Sequence, residues 1–492
     1  MITMKYLSTR NKNNVTDSLH AVIKGLADDG GLYVPSEIPS SGLGKDKLLS
    51  MSYDEMAAHI LSILLPEYGK DNIDEIVSEG YKGKFDVPDR VDLKYADDFA
   101  FLELYHGPTS AFKDMALCLL PRLLTKANKL TGNPNRIMIL TATSGDTGKA
   151  ALEAFADVPD TGITVFYPAG GVSDIQRLQM QTQEGCNVKV CGIEGNFDDA
   201  QTGVKKAFEK VHVDGIDLGS ANSINIGRLT PQVAYYFYAY SKLLKDKKIS
   251  YGEEVDFVVP TGNFGDILAG YIAKKMGLPA GRLLCASNKN RILTDFFETG
   301  VYDRRRDFYL TASPSMDILI SSNLERLLFY ALNQDDKKLL EMMKDLSEKG
   351  FYKAGDDVMD FIRGDFDFAS ADDEESFFGI RKLWNEDRYL IDTHTAVAYA
   401  CAKKRGCKKN TVILSTASPY KFAPSVLRAL GEEVPADCFE AMNRLEELSG
   451  VMQPKKLKDL KSKDILHRDV IKIEEIESYV IKAAKGLKQE GI

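Results

Sequence analysis

A short apolar run, a turn and then a helical pattern recur along the chain, and this repeat restricts the possible folds more than any other feature. The run at 136–142 precedes SGDTG, the run at 162–168 precedes two glycines, and the run at 255–260 precedes TGNFGD. Apolar strands that alternate with helices predict an α/β fold with a mainly parallel sheet, buried on both faces. Ligands of such sheets bind in loops beyond the carboxyl ends of the strands, so these loops are the candidate sites.

Composition and charge exclude several classes of protein. With 492 residues, 44% of them hydrophobic and 27% charged, the chain has enough apolar material for a packed core. The 63 basic and 72 acidic residues give a net charge of −9, so we expect no nucleic-acid partner. No apolar run approaches the ~20 residues of a membrane helix, and the amino terminus lacks the apolar region of a secretory signal. The seven cysteines include no CxxC pair, so the sequence predicts a cytoplasmic protein with no disulfide framework and no metal site.

The length predicts roughly three domains, and the character of the sequence changes along the chain. We predict a mostly helical amino-terminal domain at 1–90, a large α/β domain at 91–134 and 216–440, a smaller inserted α/β lobe at 135–215, and a helical tail at 441–492. The acidic run at 355–376 lacks the glycine and ligand spacing of a calcium loop, which predicts a solvated surface insertion. We expect an amphipathic helix of the tail to dock on the body of the protein, with the lysines of the tail in solvent.

Lys113 is the candidate for covalent chemistry. It follows a Gly-Pro turn in LYHGPTSAFKD (104–114) and precedes an apolar helical segment at 115–124. Burial there would lower the pKa of its amine, because desolvation disfavours the ammonium form. A neutral lysine can form a Schiff base with an aldehyde cofactor. The alternative is a helix start capped by Ser110, with Asp114 in the first turn and Lys113 in solvent.

Two strand–loop–helix turns suit anions. TSGDTG (143–148) can place backbone N–H groups around an anion at a helix start. It is not a Walker A loop, because Ala150 stands where Ser or Thr must hold magnesium, and an ordinary capped turn is the alternative. PTGNFGD (260–266) has two glycines three residues apart, which let the backbone wrap a phosphate closely. It lacks GxGxxG, so a dinucleotide is not indicated.

Three further stretches carry polar side chains. SANSINIGRLT (220–230) concentrates hydrogen-bond donors, and the planar fork of Arg228 suits a phosphate dianion, although an Asn-rich turn before the helix at 235–240 is the alternative. His394 stands in IDTHTA without a metal partner spaced near it, which favours a structural role. STASPYKF (415–422) places hydroxyls at a strand end, where they could meet a heterocyclic nitrogen.

In order, these motifs resemble those of the threonine synthase family, which are pyridoxal-phosphate (PLP) enzymes of fold type II, the tryptophan synthase β-like group. The resemblance covers nearly the whole chain, and its motifs are YLSTRN (6–11), AVIKGLADDGGLYVPSEIP (21–39), HGPTSAFKD, SGDTGKAA, NSINIGR, GNFGD, DTHTAVA and STASPYKF. The length and the amino-terminal region are similar to the fungal and enteric-bacterial branch. This resemblance implies two parallel-type α/β lobes with PLP between them, and a monomer, with a weak dimer as the alternative.

The resemblance also implies a role for individual residues. Lys113 corresponds to the catalytic Schiff-base lysine. The implied cofactor contacts are Lys113, Phe112, Gly262, Asn263, Phe264 and Gly265, with Thr416 at the pyridine nitrogen. The implied contacts with the amino-acid end of the substrate are Ser144, Asp146 and Thr147. The candidates for its phosphate are Asn222, Ser223, Asn225 and Arg228. Relatives usually read AHPAKF and DPHTA, so Ser418, Tyr420 and Thr393 depart from the family pattern.

The implied reaction is the conversion of O-phospho-L-homoserine and water to L-threonine and phosphate, the last step of threonine biosynthesis. The family chemistry requires a neutral lysine and two separate anion sites, and GNFG and NSINIGR meet that demand. Two other enzyme activities stay open: a threonine-synthase-like phospholyase and a serine/threonine dehydratase. A non-catalytic ligand-binding protein with the same fold is a further alternative.

Overall fold

The structure is a computed structural model that describes residues 3–143 and 145–489. The amino-terminal part contains β1 (Tyr6–Ser8), β2 (Asn11–Thr16), α1 (Ser18–Lys24), β3 (Tyr33–Pro35), α2 (Lys45–Ser50), α3 (Tyr53–Leu64) and α4 (Lys70–Tyr81). The next elements are β4 (Asp92–Ala96), β5 (Phe99–Glu103), α5 (Asp114–Leu117) and α6 (Leu120–Thr131). They are followed by β6 (Arg136–Ala142), α7 (Asp146–Phe155), β7 (Thr161–Pro168), α8 (Asp174–Gln181), β8 (Val188–Ile193), α9 (Phe197–Lys210) and β9 (Ile216–Ser220).

The second half of the chain returns to the larger lobe. Its elements up to residue 370 are α10 (Ile226–Leu229), α11 (Val233–Lys245), β10 (Val255–Pro260), α12 (Gly265–Lys275), β11 (Ala280–Ser287), α13 (Ile292–Thr299), β12 (Val301–Asp303), α14 (Leu324–Ala331), α15 (Asp336–Glu348), β13 (Phe351–Lys353), α16 (Asp356–Asp365) and β14 (Phe366–Ser370). The remainder are α17 (Asp373–Asp387), α18 (Thr393–Arg405), β15 (Val412–Ser415), α19 (Ala423–Leu430), α20 (Cys438–Ser449), α21 (Lys455–Lys458), β16 (Asp469–Ile471) and α22 (Ile476–Gln489).

The larger sheet has the strand order β14-β11-β10-β15-β5-β4. Neighbours pair in parallel except β4 and β5, which pair antiparallel. Its central strands are almost wholly buried and apolar, as in VDFVVP of β10, because helices cover both faces. The parallel strands therefore end at one edge of this sheet, where the loops after β5, β10 and β15 lie together. The α/β prediction is confirmed.

The smaller sheet is parallel and has the order β16-β8-β7-β6-β9. Strands β9 and β16 belong to it although they lie outside the predicted range 135–215. Helix α22 buries Ile476, Val480, Ala484 and Leu487 in the apolar cluster that α9 and this sheet share. The amphipathic tail helix thus docks on the body of the protein, and the structure shows that it does so at the smaller lobe, to which the tail also adds the edge strand β16.

Within the described residues, the amino-terminal segment combines the α-helices α1 to α4 with a small antiparallel sheet of order β2-β1-β3. The sequence indicated the helices and missed the sheet, whose strands are short. Tyr6 and Tyr33 of this sheet are fully buried in an apolar cluster that continues into the larger lobe. Arg10 also pairs with Glu325 of α14 at 2.9 Å. The segment is therefore packed against the larger lobe through a shared core.

The expectation of a surface insertion at 355–376 is wrong. Strand β14 is an edge strand of the larger sheet and pairs in parallel with β11. Its neighbouring carboxylates are balanced by cations of other elements: Asp365 contacts Lys274 and Lys275, and Asp367 contacts Arg282. The alternation of acidic and apolar residues in this run therefore marks a charged edge strand, which protects a sheet edge from pairing with other chains.

The apolar segment 115–124 is also not one helix. Helix α5 ends at Leu117 and α6 begins at Leu120, with Pro121 in its first turn. Proline lacks the N–H that a continuous helix would need at this position, so the chain starts a new helix there. Among the described residues, no helix is both long and apolar enough to cross a membrane.

Candidate active site

A cavity opens where the loops after strands of both sheets converge. The residues that line it are Phe112, Lys113, Asp146, Thr147, Ser223, Arg228, Gln232, Pro260, Thr261, Gly262, Asn263, Phe264, Gly265, Asp266, Ser315, Met316, His394, Thr416 and Ala417. The loops after β5, β10 and β15 come from the larger sheet, and those after β6 and β9 come from the smaller one. The cavity therefore lies between the lobes, where α/β folds bind ligands.

Lys113 is held beside Thr416 by backbone pairing of two loops. The Phe112 N–H donates to the Thr416 carbonyl at 2.8 Å, and the Ser418 N–H donates to the Ser110 carbonyl at 3.1 Å. The Lys113 side chain is 11% exposed. Burial lowers the pKa of its amine to about 8, although the charge of Asp146 acts in the opposite direction. The alternative of a solvated lysine at a helix start capped by Ser110 is wrong.

The loop at 262–265 ends in a helix start without a side-chain cap. Phe264 precedes α12 with φ of 64°, a left-handed conformation that is rare for a bulky residue. Its ring packs against Phe297 and Phe366, so this residue offers its backbone to the cavity. A Cβ atom on Gly262 would lie 2.8 Å from the Ser315 carbonyl oxygen, so glycine fits the close approach there. An uncapped helix start bordering a cavity suits an anion such as a phosphate.

Asp266 lies in the first turn of the same helix, and the sequence did not single it out. The hydroxyls of Tyr235 and Tyr236 donate to its Oδ1 at 2.5 and 2.9 Å. Its Oδ2 is buried and has no hydrogen-bond partner among the described residues. Burial raises the pKa of Asp266 to about 6. This carboxyl group is therefore poised to carry a proton near the loop.

The loop at 143–147 is held by one hydrogen-bonding side chain of its own, Thr143, and by contacts of Asp146 with other elements. Thr143 Oγ1 accepts hydrogen bonds from the Gly145 and Gly148 N–H groups at 2.9 and 2.8 Å. Asp146 at the start of α7 accepts from Lys421 Nζ at 2.6 Å and from Gln176 Nε2 at 2.9 Å. Burial acts to raise the pKa of Asp146, but the charges of Lys421 and Lys113 outweigh it and hold this pKa well below its usual range. Ser144 lies outside the described residues.

Arg228 offers an unpartnered donor at the cavity. Its guanidinium is buried, and one Nη1–H donates to the Ala221 carbonyl at 2.6 Å. Its Nε has no hydrogen-bond partner among the described residues. Burial lowers the pKa of Arg228 to about 10, which still leaves it cationic at neutral pH. A buried cation with an unpartnered N–H group favours the binding of an anion.

The two asparagines of this stretch do not line the cavity, unlike Ser223. Asn225 caps α10 through Oδ1, and its Nδ2 donates to the Val22 and Ser220 carbonyls at 3.0 Å. Asn222 Nδ2 donates to the Ala142 carbonyl at 3.2 Å. The structure thus contradicts a substrate contact for Asn225, because its side chain is used inside the protein, and gives no support for one at Asn222.

Several lining residues had no signal in the sequence. Ser315 and Met316 come from a long connection between β12 and α14 that carries no recognisable motif. His394 was interpreted as structural, and it does hold this connection, because its Nε2 accepts from the Ser315 N–H at 3.1 Å. Its Nδ1 contacts Asp392 at 2.8 Å. His394 therefore supports the site and also borders it.

The departures from the family pattern have local explanations. Ser418 accepts from the Tyr420 N–H at 3.4 Å, and the Tyr420 hydroxyl bonds to the Val451 carbonyl beyond α20. Both residues thus fix the turn after β15. Thr393 occupies the first position of α18, and its hydroxyl is buried without a partner among the described residues.

Comparison with known families agrees with this geometry. Residues 97–418 match the family model described as pyridoxal-phosphate dependent enzyme. Residues 5–81 match the threonine synthase N terminus, and residues 395–471 match the C-terminal threonine synthase model. The chain belongs to the threonine synthase family of PLP-dependent enzymes. The resemblance stated from the motifs is confirmed.

Individual relatives span most of the chain. The threonine synthase of Schizosaccharomyces pombe is 38% identical over 87% of this chain and 89% of its own length. The human protein named threonine synthase-like 1 is also 38% identical, over 83% of this chain and 57% of its own length. The crystal structure of PLP-bound threonine synthase from Brucella melitensis has a TM-score of 0.85 at 37% identity, and covers 98% of this chain and all of that one. The fold type II architecture is therefore established.

PLP is the cofactor of this family, and the residues present fit it. A buried lysine with a lowered pKa borders the cavity, as a Schiff-base partner must. The uncapped start of α12 and the close approach at Gly262 suit the cofactor phosphate. Thr416 lies directly beside the Lys113 loop. The donor set thus provides a covalent anchor, an anion cradle and a neutral hydroxyl.

Proposed function

We propose that this protein converts O-phospho-L-homoserine and water to L-threonine and phosphate. The observation that carries the proposal is a buried lysine flanked by two separate anion-suited groups, the 262–265 loop and Arg228. A cofactor phosphate needs one such site permanently, and a substrate phosphate needs a second one. Relatives named threonine synthase, in fungi and bacteria, support the same conclusion.

The proposed residue roles follow the lining of the cavity. We assign the cofactor to Lys113, Phe112, Gly262, Asn263, Phe264, Gly265 and Thr416. We assign the substrate to Asp146, Thr147, Ser223 and Arg228, together with Ser144, whose placement is not described. Asn222 and Asn225 are not retained, because their side chains are engaged elsewhere.

The proposed chemistry depends on Lys113 as a proton carrier. PLP supplies an electron sink that stabilises negative charge at the substrate Cα. The Lys113 amine takes the Cα proton, and its pKa of about 8 leaves roughly a tenth of it neutral at pH 7. Arg228 Nε donates to the phosphate that departs from Cγ, and its fixed charge stabilises the leaving anion. Cβ also loses a proton as the phosphate leaves, and Cγ then gains a proton. The hydroxyl of water adds at Cβ, the proton returns to Cα, and the amino group is retained.

A product assay on the purified protein tests the proposal. With O-phospho-L-homoserine, we expect threonine and phosphate, and a visible absorbance near about 410–430 nm from the lysine-bound cofactor. Release of 2-oxobutyrate and ammonia without threonine would instead identify a phospholyase or dehydratase. The S. pombe threonine synthase and the human threonine synthase-like 1 are equally similar to this chain, at 38% identity, so the product assay is the measurement that separates these activities. A Lys113→Ala variant should lose both the absorbance and the activity.

Arg228→Ala tests the two-anion assignment separately. We expect the substrate concentration for half-maximal rate to rise at least tenfold, because a buried charged donor is lost. The affinity for PLP should change far less, since the 262–265 loop is untouched. Equal weakening of both would show that the substrate phosphate site is misplaced.

We also infer that the protein is a cytoplasmic monomer that binds O-phospho-L-homoserine and neither nucleic acid nor membrane. The net charge of −9 supports the absence of a nucleic-acid partner. Sedimentation of the PLP-bound protein over a concentration series tests the monomer, and cell fractionation tests the compartment.

A further inference from the structure

Lys421 is a second buried lysine beside the active site, and the roles assigned above leave it unused. It lies in the turn Pro419–Phe422, which follows β15 and Thr416. Its side chain is fully buried, and Nζ donates to Asp146 Oδ1 at 2.6 Å and to the Thr109 carbonyl at 3.0 Å. A buried ammonium group is costly unless paired, so this geometry indicates a specific task.

The ion pair between Lys421 and Asp146 joins the two lobes. Lys421 and Thr109 belong to loops of the larger sheet, whereas Asp146 begins α7, which packs on the smaller sheet. Gln176 of α8, also in the smaller lobe, donates to the same Asp146 oxygen at 2.9 Å. The carboxylate of Asp146 is thus fixed from both sides of the boundary that the cavity occupies.

The pair also faces Lys113. Asp146 Oδ2 is 4.0 Å from Lys113 Nζ, close enough for strong attraction but longer than a hydrogen bond. Asp146 favours the charged form of Lys113, and Lys421 disfavours it. The charged groups around Lys113 are Asp114, Asp146, Arg228, Asp266 and Lys421. Among these, Asp146 has the largest electrostatic influence on Lys113, and Lys421 the next largest.

We propose that Lys421 is a positioning residue that holds Asp146 at the lobe boundary and prevents this carboxylate from closing onto Lys113 as a full ion pair. With Lys421 in place, one oxygen of Asp146 is saturated and the other stops short of Lys113. Without it, Asp146 would turn to Lys113 and keep its nitrogen protonated. This inference rests on the proposed role of Lys113 as the cofactor-bound lysine.

The test is a pH titration of the visible absorbance of the full-length PLP-bound protein, which reports protonation of the Lys113 nitrogen. Lys421→Met should raise the midpoint by about one pH unit or more, since an unscreened carboxylate stabilises the protonated form. Lys421→Arg keeps the charge and should leave the midpoint near that of the wild type. Asp146→Asn should lower it, because only the repulsion by Lys421 remains.

The double variant Lys421→Met with Asp146→Asn removes both charges and keeps the test decisive if a single variant fails to fold. Its midpoint should lie between those of wild type and Asp146→Asn, because Asp146 has the larger influence. A midpoint in Lys421→Met equal to that of wild type, with the cofactor bound, would overturn the inference, as would a double variant above wild type. Failure of the proposed reaction is read separately, from the threonine assay, and leaves the order of midpoints intact.

Discussion

Helices α7 and α12 each place a buried aspartate in the first turn, at the edge of the same cavity, but the two carboxyl groups differ in charge. Asp146 is paired with Lys421, which holds its pKa well below the usual range against the effect of burial. Asp266 accepts from two tyrosine hydroxyls and contacts no cation among the described residues, and burial raises its pKa to about 6. The comparison teaches that the start of α7 already holds a fixed negative charge, whereas the start of α12 keeps its amides available for an external anion.

The largest expected effect is on stability, from the two Asp→Asn substitutions. Asp146→Asn leaves the Lys421 ammonium buried without a counter-charge, which should lower the free energy of unfolding by about 3 kcal/mol. Asp266→Asn, the matched control, keeps an acceptor for the tyrosine hydroxyls and should cost about 1 kcal/mol or less. Urea unfolding at pH 7 measures both. Equal losses would mean that the two carboxyl groups are held in the same way.

Gly262→Ala tests whether the loop before α12 is the permanent anion site. The added Cβ would lie 2.8 Å from the Ser315 carbonyl oxygen, so the loop must shift. We expect the PLP dissociation constant to rise about tenfold or more, which corresponds to about 1.4 kcal/mol. Gly364→Ala in α16 is the control, because an added Cβ there meets no atom within 4 Å. Unchanged PLP affinity in Gly262→Ala would place the cofactor phosphate elsewhere.

The sequence predicts those parts of the site that lie in contiguous motifs, and it does not predict contacts between residues that are distant in the chain. The Lys113 loop and the 262–265 loop are contiguous motifs, and both border the cavity as expected. Asp146 and Asp266 look alike in the sequence, but their pKa values shift in opposite directions in the fold. Burial raises the pKa of Asp266, and the hydrogen bonds from Tyr235 and Tyr236 offset this only in part, whereas at Asp146 the charges of Lys421 and Lys113 outweigh burial.

The sequence also does not predict the direction in which a polar side chain points. Asn225 sits in a donor-rich stretch, but its amide caps a helix, and residue type alone does not reveal which way such a group points. Strand β14 was not recognised in the sequence, because the acidic residues around it indicated a solvated insertion. Their basic partners come from α12 and β11. The fold class was predictable because it depends on repeated apolar runs, whereas single polar contacts across the lobes depend on the tertiary structure.

The pH dependence of cofactor binding separates the two aspartates further. Asp266 has a folded-state pKa near 6, so it loses its proton as pH rises through 6 and then repels the phosphate. The ratio of PLP affinity in wild type to that in Asp266→Asn should therefore fall several-fold between pH 5 and pH 8. The titration of the cofactor phosphate itself is common to both proteins and cancels in this ratio. Equilibrium binding followed by absorbance measures it, and a ratio independent of pH would contradict the assignment.

The smallest expected effect concerns a third helix start, that of α18, which Asp392 already caps by accepting from the His394 and Thr395 N–H groups. Thr393→Pro should raise the free energy of unfolding by about 0.5–1 kcal/mol, because proline suits the first helical position and restricts the unfolded chain. Asp392 has an extended backbone conformation, with φ of −80° and ψ of 171°, which a following proline accepts.

Thr393→Pro also removes a buried hydroxyl that has no partner among the described residues. Thermal unfolding measures the gain, and Thr393→Val is the matched control that removes the hydroxyl and keeps the backbone unrestricted. PLP and substrate affinities should stay unchanged in both variants, because the Asp392 carboxylate already accepts from two amides of this helix start and repels an anion. A loss of PLP affinity in Thr393→Pro would show that α18, like α12, takes part in anion binding.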